Sequence, residues 1–147
     1  MKAHIGVGAD SGLVHTVIGT AANIHDVMQG YGLLHGKETV GFADAGYQGA
    51  TKRAGATGVD WHVTMRLGKR RALDKHTLWG ALLDKAEQLK ASVLAKVEHR
   101  FKVIKCQFGF TKVRYKGLAK NTAQLVTPFA LGNLWMARRT LLQGAKG

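Results

Sequence analysis

The chain has 147 residues, enough for one domain or a piece of a larger protein, and its 46% hydrophobic content can supply a packed core. A formal net charge of +13 and a pI near 10.3 point to a polyanionic partner, nucleic acid ahead of an anionic membrane surface. No apolar run is long enough for a membrane span, Met1-Lys2 leads directly into a strand pattern rather than a signal peptide, and the single cysteine, Cys106, excludes an internal disulfide and a cysteine-based zinc cluster. A reducing cytoplasm suits such a chain. The seven histidines are scattered without the spacing of a zinc site.

Lys2–Val7 and Leu13–Thr20 are short apolar stretches flanking Asp10-Ser11-Gly12, which predicts a hairpin. From Asn23 to about His35, Ile24, Val27, Met28, Tyr31 and Leu34 recur at helical spacing. Asn23 is the expected N-cap, Asp26 sits three residues on, and Gly36 is the expected stop. Thr39–Ala43 predicts a third strand ending at Asp44. A Gly46–Gly49 turn, a short polar helix around Ala50–Ala54 and a fourth strand at Val59–Met65 follow. Strands alternating with helices after a hairpin imply a mixed α/β sheet. The basic loop Arg66–Arg71 divides a strand-rich part, residues 1–71, from a helical basic part, residues 72–147.

From Asp74 the period is 3.6. Leu78, Leu82, Leu83, Ala86 and Leu89 form one apolar stripe, and Val93, Val97, Phe101, Ile104 and Phe108 another. A last helix is predicted from Asn121 to about Leu142, with Pro128 expected to kink or break it. Trp61 and Trp135 fall on apolar faces and read as core. The glycine-rich turns lack the strand–GxGxxG–helix context of a nucleotide fingerprint.

Charge is distributed unevenly. Residues 1–87 hold eight acids against ten Lys and Arg, whereas the chain after Glu87 carries twelve basic side chains and one carboxylate, Glu98. Lys96, Arg100, Lys102 and Lys105 surround that acid. An acid repels the phosphates that its neighbours attract, unless it ligates a divalent cation and thereby bridges to phosphate. The plainer alternative is a helix ion pair with Lys102 or Lys105. Asp44, at the C-terminal end of a strand, stands where open α/β sheets place ligands; its plainer reading is a turn-initiating aspartate. Together the two carboxylates describe a divalent metal site for phosphodiester chemistry. Lys112, Arg114, Lys116 and Lys120, interleaved with Tyr115, suit a phosphate track, while Lys69-Arg70-Arg71 reads equally as phosphate contact or solvated loop.

The segments GTAANIHDV, GFADAGYQG, the WHV–GKRRAL stretch, AKVEHRFKVIKCQFGFTKVRYKGLAKNTAQL and FALGNLWMARR closely resemble the DDE transposases of bacterial insertion sequences, in the insertion-sequence-five-like group. The resemblance covers nearly the whole chain. It is most specific at Glu98 and Lys105 (an E-x6-K pair), followed by Phe108-Gly109, Arg114-Tyr115, Gly117-Leu118 and Lys120-Asn121. It implies a ribonuclease H-like α/β fold, a mixed sheet with flanking helices, in a bacterial cytoplasmic protein. It also implies two Mg2+ or Mn2+ ions held by two aspartates and a glutamate for DNA strand cleavage and transfer at insertion-sequence ends. By motif position Asp44 matches the second aspartate, Glu98 the glutamate, and Lys105 the lysine that contacts the element's end. Lys69, Arg70, Arg71, Arg100 and Lys102 join the phosphate track as the expected DNA contacts.

Several positions depart from the family pattern. The first catalytic aspartate lies upstream of the segment matching Met1–His4, so a domain truncated at its N-terminus, with its first catalytic strand missing, is expected. Asp10, in the hairpin turn, does not replace it. Gly8 stands where an acid is usual, Leu94 where an arginine is usual, and Arg100 and Pro128 replace a proline and a leucine. These departures imply an inactive copy whose open strand edges could pair with a second copy as a homo-oligomer. The alternatives are a non-catalytic basic DNA-binding remnant and an unrelated RNA-binding protein.

Overall fold

A computed structural model describes residues 1–52 and 58–144. The chain forms two compact units, one built from Met1–Ile24 and the chain from Lys96 onward, the other from His25–Ala95. Each contains one strand pair. Among the described residues there are thus two two-stranded sheets in place of the single mixed sheet expected. No helix of the described residues is long and apolar enough to cross a membrane.

In the first unit, β1 (Lys2–Val7) and β2 (Val14–Thr20) pair antiparallel, with Ile5 opposite Val17 and Val7 opposite Val14. The turn closes as expected: Gly12 adopts φ 63, donates its N–H to the Gly8 carbonyl at 2.7 Å, and precedes Leu13, whose N–H reaches Ser11 Oγ at 3.1 Å. Alternation sends Ala3, Ile5, Val7 and Val17 to one face, and a register shift between Gly6 and Val7 brings Val14 to it as well. There they meet Ile104, Leu125 and Phe129, with Val97, Phe101 and Phe110 at the margin. Phe101 and Phe129 meet edge to face at 5.4 Å. The two predicted stripes lie on one continuous helix, α2 (Leu78–Phe108), whose last thirteen residues belong to this unit. The helix ends where Gly109 turns to φ 62 and the Phe110 N–H reaches back to the Ile104 carbonyl at 3.1 Å, closing the C-terminus over a left-handed glycine.

The last helix of this unit, α3, runs Leu118–Gly144 and continues through Pro128 rather than breaking there. Phe129 and Leu125, both 2% exposed, flank the proline. Burying two such side chains is worth about 3–6 kcal/mol, enough to offset the roughly 3 kcal/mol that an interior proline costs. Asn133 clamps α3 to the hairpin, accepting from the Val14 N–H at 2.9 Å and donating to the Val14 carbonyl at 2.7 Å.

In the second unit the helix expected from Asn23 to His35 is replaced by two 3-10 turns, Asp26–Gln29 and Tyr31–Leu33. Gly30 and Gly32 each weaken an α-helix by about 1 kcal/mol, and a segment this short is marginal already. His25, not Asn23, occupies the cap position, and no side chain caps the turn. Strand β3 (Val40–Ala43) pairs in parallel with β4 (Asp60–Val63), Phe42 opposite His62. A Cβ on Gly41 would approach the Trp61 ring to 3.1 Å, so the ring would have to give by a few tenths of an ångström. Trp61 is half-buried and packs edge-on against Tyr31, whose hydroxyl donates to the Ala50 carbonyl at 2.8 Å. The expected polar helix is a 3-10 turn at Ala50–Lys52, and its remaining residues, 53 and 54, lie outside the described residues.

The expected basic loop contains a short helix, α1 (Leu67–Arg71). At the start of α2, Thr77 Oγ1 accepts from the Gly80 N–H at 3.1 Å and Asp74 Oδ1 from the His76 N–H at 3.0 Å. Glu87 of α2, 2% exposed, holds the end of β4 by accepting from the Met65 N–H at 2.7 Å. Lys90 completes the clasp, donating to Glu87 Oε1 at 2.8 Å and to the Val63 carbonyl at 3.1 Å.

Candidate functional site

Asp44 follows the last residue of β3 and is exposed. It caps the 3-10 turn Ala45–Tyr47, its Oδ1 accepting from the Gly46 N–H at 2.8 Å, so its plainer reading as a turn-former is fulfilled in this geometry. That bond fixes the carboxylate without burying it. The 3-10 turn Asp26–Gln29 packs against Ala45–Tyr47. Asp26 Oδ2 and Asp44 Oδ1 lie 2.8 and 3.0 Å from the point a Gly46 Cβ would occupy, so two carboxylates converge on this glycine and would have to shift for any side chain there. Burial pushes the Tyr47 phenol pKa up, and the charges of Asp44 and Asp26 push it further. Two anions beside a neutral hydroxyl are oxygen donors of the kind hard divalent cations take. Asp26 read as a capping residue in the sequence. No spacing relates it to Asp44, and only the stacking of the two turns brings them together.

Glu98 lies on the part of α2 that belongs to the other unit and is exposed. Its plainer reading does not hold: among the described residues it makes no ion pair, neither with Lys102 nor with Lys105. The carboxylate stays available in strongly basic surroundings.

The basic residues divide into three groups. Lys102, Lys105, Lys112, Arg114, Lys116 and Lys120 are exposed and have no acidic partner among the described residues. Lys69 and Arg71 are exposed on α1, but Arg70 between them is partly buried and donates Nε to Asp84 Oδ1 at 2.8 Å. Lys75 adds a second cation to Asp84 at 3.2 Å. Arg70 is therefore occupied within the fold. Arg100 departs further from expectation, being only 7% exposed. Its Nε and Nη1 are buried without a hydrogen-bond partner, and burial pushes its pKa down. Nη2 faces the turn, where a Cβ on Gly12 would come within 2.3 Å of it. Lys96, one helical turn earlier, donates to the Ala9 carbonyl of the same turn. Arg100 stands three residues after Val97 and four before Ile104, and this places it on the inward stripe of α2.

Residues 1–134 match the family described as transposase DDE domain, and the chain belongs to that family. No solved structure gives a significant match.

Proposed function

We propose that this chain acts on DNA at insertion-sequence ends. Asp44 and Glu98 are two of the carboxylates of a metal-dependent centre for strand cleavage and transfer, and Lys102, Lys105, Lys112, Arg114, Lys116 and Lys120 hold DNA phosphates. The observation that carries this reading is Glu98, an exposed carboxylate left unpaired among lysines that could have neutralised it. Mg2+ or Mn2+ fits the carboxylate oxygens that Asp44 and Glu98 offer. Such an ion, when bound, supplies Lewis-acid stabilisation of the phosphodiester and lowers the pKa of a nucleophilic water. The chain's own contribution is positional: the Gly46 N–H orients Asp44, and helix α2 presents Glu98 outward.

The family's reaction takes three carboxylates. With Asp44 and Glu98 alone matching, the polypeptide as it stands binds DNA without cleaving it. The six exposed, unpaired cations favour this second, non-catalytic reading of its present capacity.

The test is duplex binding by fluorescence anisotropy together with a nicking assay in Mg2+, Mn2+ or EDTA. Six phosphate contacts predict a loss of affinity of about a thousandfold between roughly 50 and 200 mM salt. No metal-dependent nicking should occur. Nicking that disappears in Glu98→Gln would overturn the inactivity while supporting the site, and salt-insensitive binding would overturn the phosphate track.

A further inference from the structure

We propose that a groove between the start of α3 and the loop before it receives a single unpaired nucleobase of a DNA strand, stacked on Tyr115 and read at its edge by Gln124, with its phosphate on Lys120. The proposal rests on the nucleic-acid reading above and adds a place where one base is taken individually. The groove has a volume of about 530 Å3 and is lined by Tyr115, Lys120, Ala123, Gln124, Thr127 and Pro128. That size lies within the range of about 300–1,000 Å3 usual for small-ligand sites.

Three observations select the occupant. The first is the mounting of Tyr115. The residue is 55% exposed, yet its backbone is held on both sides by Asn121, a buried residue of α3. Asn121 Oδ1 accepts from the Tyr115 N–H at 3.0 Å, and Nδ2 donates to the carbonyls of Tyr115 at 2.6 Å and Gly117 at 2.8 Å. A buried amide thus fixes a loop whose aromatic side chain faces water. An exposed ring on a fixed backbone is a stacking platform with little ordering entropy left to lose on binding.

The second observation is an unmet acceptor. Gln124 Oε1 is buried and has no hydrogen-bond partner. One turn further along α3, Pro128 has no N–H to give to the Gln124 main-chain carbonyl. Gln124 thus holds an acceptor without a donor, and a base supplies one from its exocyclic amino group. The best match to a glutamine amide is adenine, which offers a donor and an acceptor side by side. The third observation is charge. Lys120 lines the groove and Lys112, Arg114 and Lys116 precede it, with no acid anywhere after Glu98. The occupant thus combines a flat ring, a donor edge and a phosphate, and an unpaired nucleotide offers all three.

The experiment compares anisotropy titrations of the full chain with a blunt duplex, the same duplex carrying a short adenine overhang, and one carrying a thymine overhang. The wild-type chain should bind the adenine overhang about tenfold more tightly than the blunt duplex, the margin that base–aromatic stacking supplies. Tyr115→Ala should remove that margin, and Gln124→Leu should remove the preference for adenine over thymine. Lys116→Ala should weaken all three duplexes alike. Thermal unfolding of Tyr115→Ala should match wild type, because the ring is exposed. Equal wild-type binding to blunt and overhang DNA overturns the base site, as does a Tyr115→Ala effect shared equally by both. Failure to bind even the blunt duplex would overturn the underlying nucleic-acid reading as well.

Discussion

Replacing Glu87 by alanine tests whether the buried clasp between α2 and β4 holds the second unit together. The carboxylate is 2% exposed and serves two donors, the Met65 N–H at 2.7 Å and Lys90 Nζ at 2.8 Å. Without it the Met65 N–H has no acceptor, which costs about 1–3 kcal/mol for a buried amide. Lys90 also loses its counter-ion. Its side chain is 23% exposed and keeps the Val63 carbonyl, so water and that bond limit the further loss to about 1 kcal/mol. Glu87→Ala should therefore destabilise by about 3 kcal/mol. Glu87→Gln retains an acceptor for both donors and should lose only about 1 kcal/mol. For a chain of this size those figures correspond to falls in Tm of about 10 °C and 3 °C. The assay is urea unfolding followed by Trp61 fluorescence in a Trp79→Phe, Trp135→Phe background, so that the signal comes from β4 alone. Equal midpoints for the alanine and glutamine variants would refute the reasoning, because the missing acceptor would then have no consequence.

Two further outcomes follow from the same unit. Side-chain hydrogen bonds from Arg70 and Lys75 hold the Asp84 pKa down to about 2, against 3.8 for a free aspartate. Burial alone would raise Glu87, but Lys90 and the Met65 N–H outweigh it and leave it below its usual 4.5. Both folded-state values lie below the unfolded ones. Their stabilisation is therefore complete above about pH 5 and lost as pH falls through 4.5 towards 2. Tm measured across that window should fall steadily, and a flat profile would contradict the ion-pair assignments. Gly80→Ala sets two effects against each other. Helix propensity favours alanine by about 1 kcal/mol. However, the added Cβ would lie 1.9 Å from the Asp74 carbonyl oxygen, so the N-terminal turn of α2 must shift. A net loss of stability of about 1–2 kcal/mol is expected on a thermal melt, and a more stable variant would show that the turn yields freely.

The strands and the long helices were legible in the sequence because their signals are periodic and local. Lys2–Val7 alternates, Asp10-Ser11-Gly12 turns, and the spacing of Val97, Phe101 and Ile104 marks an inward face. The Asn23–His35 segment misled because helical spacing of Ile24, Val27 and Met28 says nothing of the backbone freedom added by Gly30 and Gly32. Arg100 misled in a different way. Its position on the Val97–Ile104 stripe pointed inward while its charge pointed to DNA, and packing under Gly12 prevailed. Glu98 was legible as an anomaly of charge, although its freedom from Lys102 and Lys105 is a matter of side-chain geometry that no spacing rule contains. The convergence of Asp26 on Gly46 required a turn-on-turn contact between residues eighteen to twenty apart, which leaves no trace in composition or period.

The bond between Val14 and Asn133 joins residues 119 positions apart. The first unit is thus assembled from the two ends of the polypeptide, with His25–Ala95 emerging in between. On a ribosome adding about 5–20 residues per second, the hairpin waits roughly 6–24 s for the helix that covers it. During that interval Ile5, Val7, Val14 and Val17 form an uncovered apolar ribbon with free backbone along its edges. The most vulnerable moment for this protein therefore comes during its own synthesis, before α3 has emerged. Yield in a cell should accordingly depend on how quickly the last third of the message is translated, independently of the stability of the finished fold.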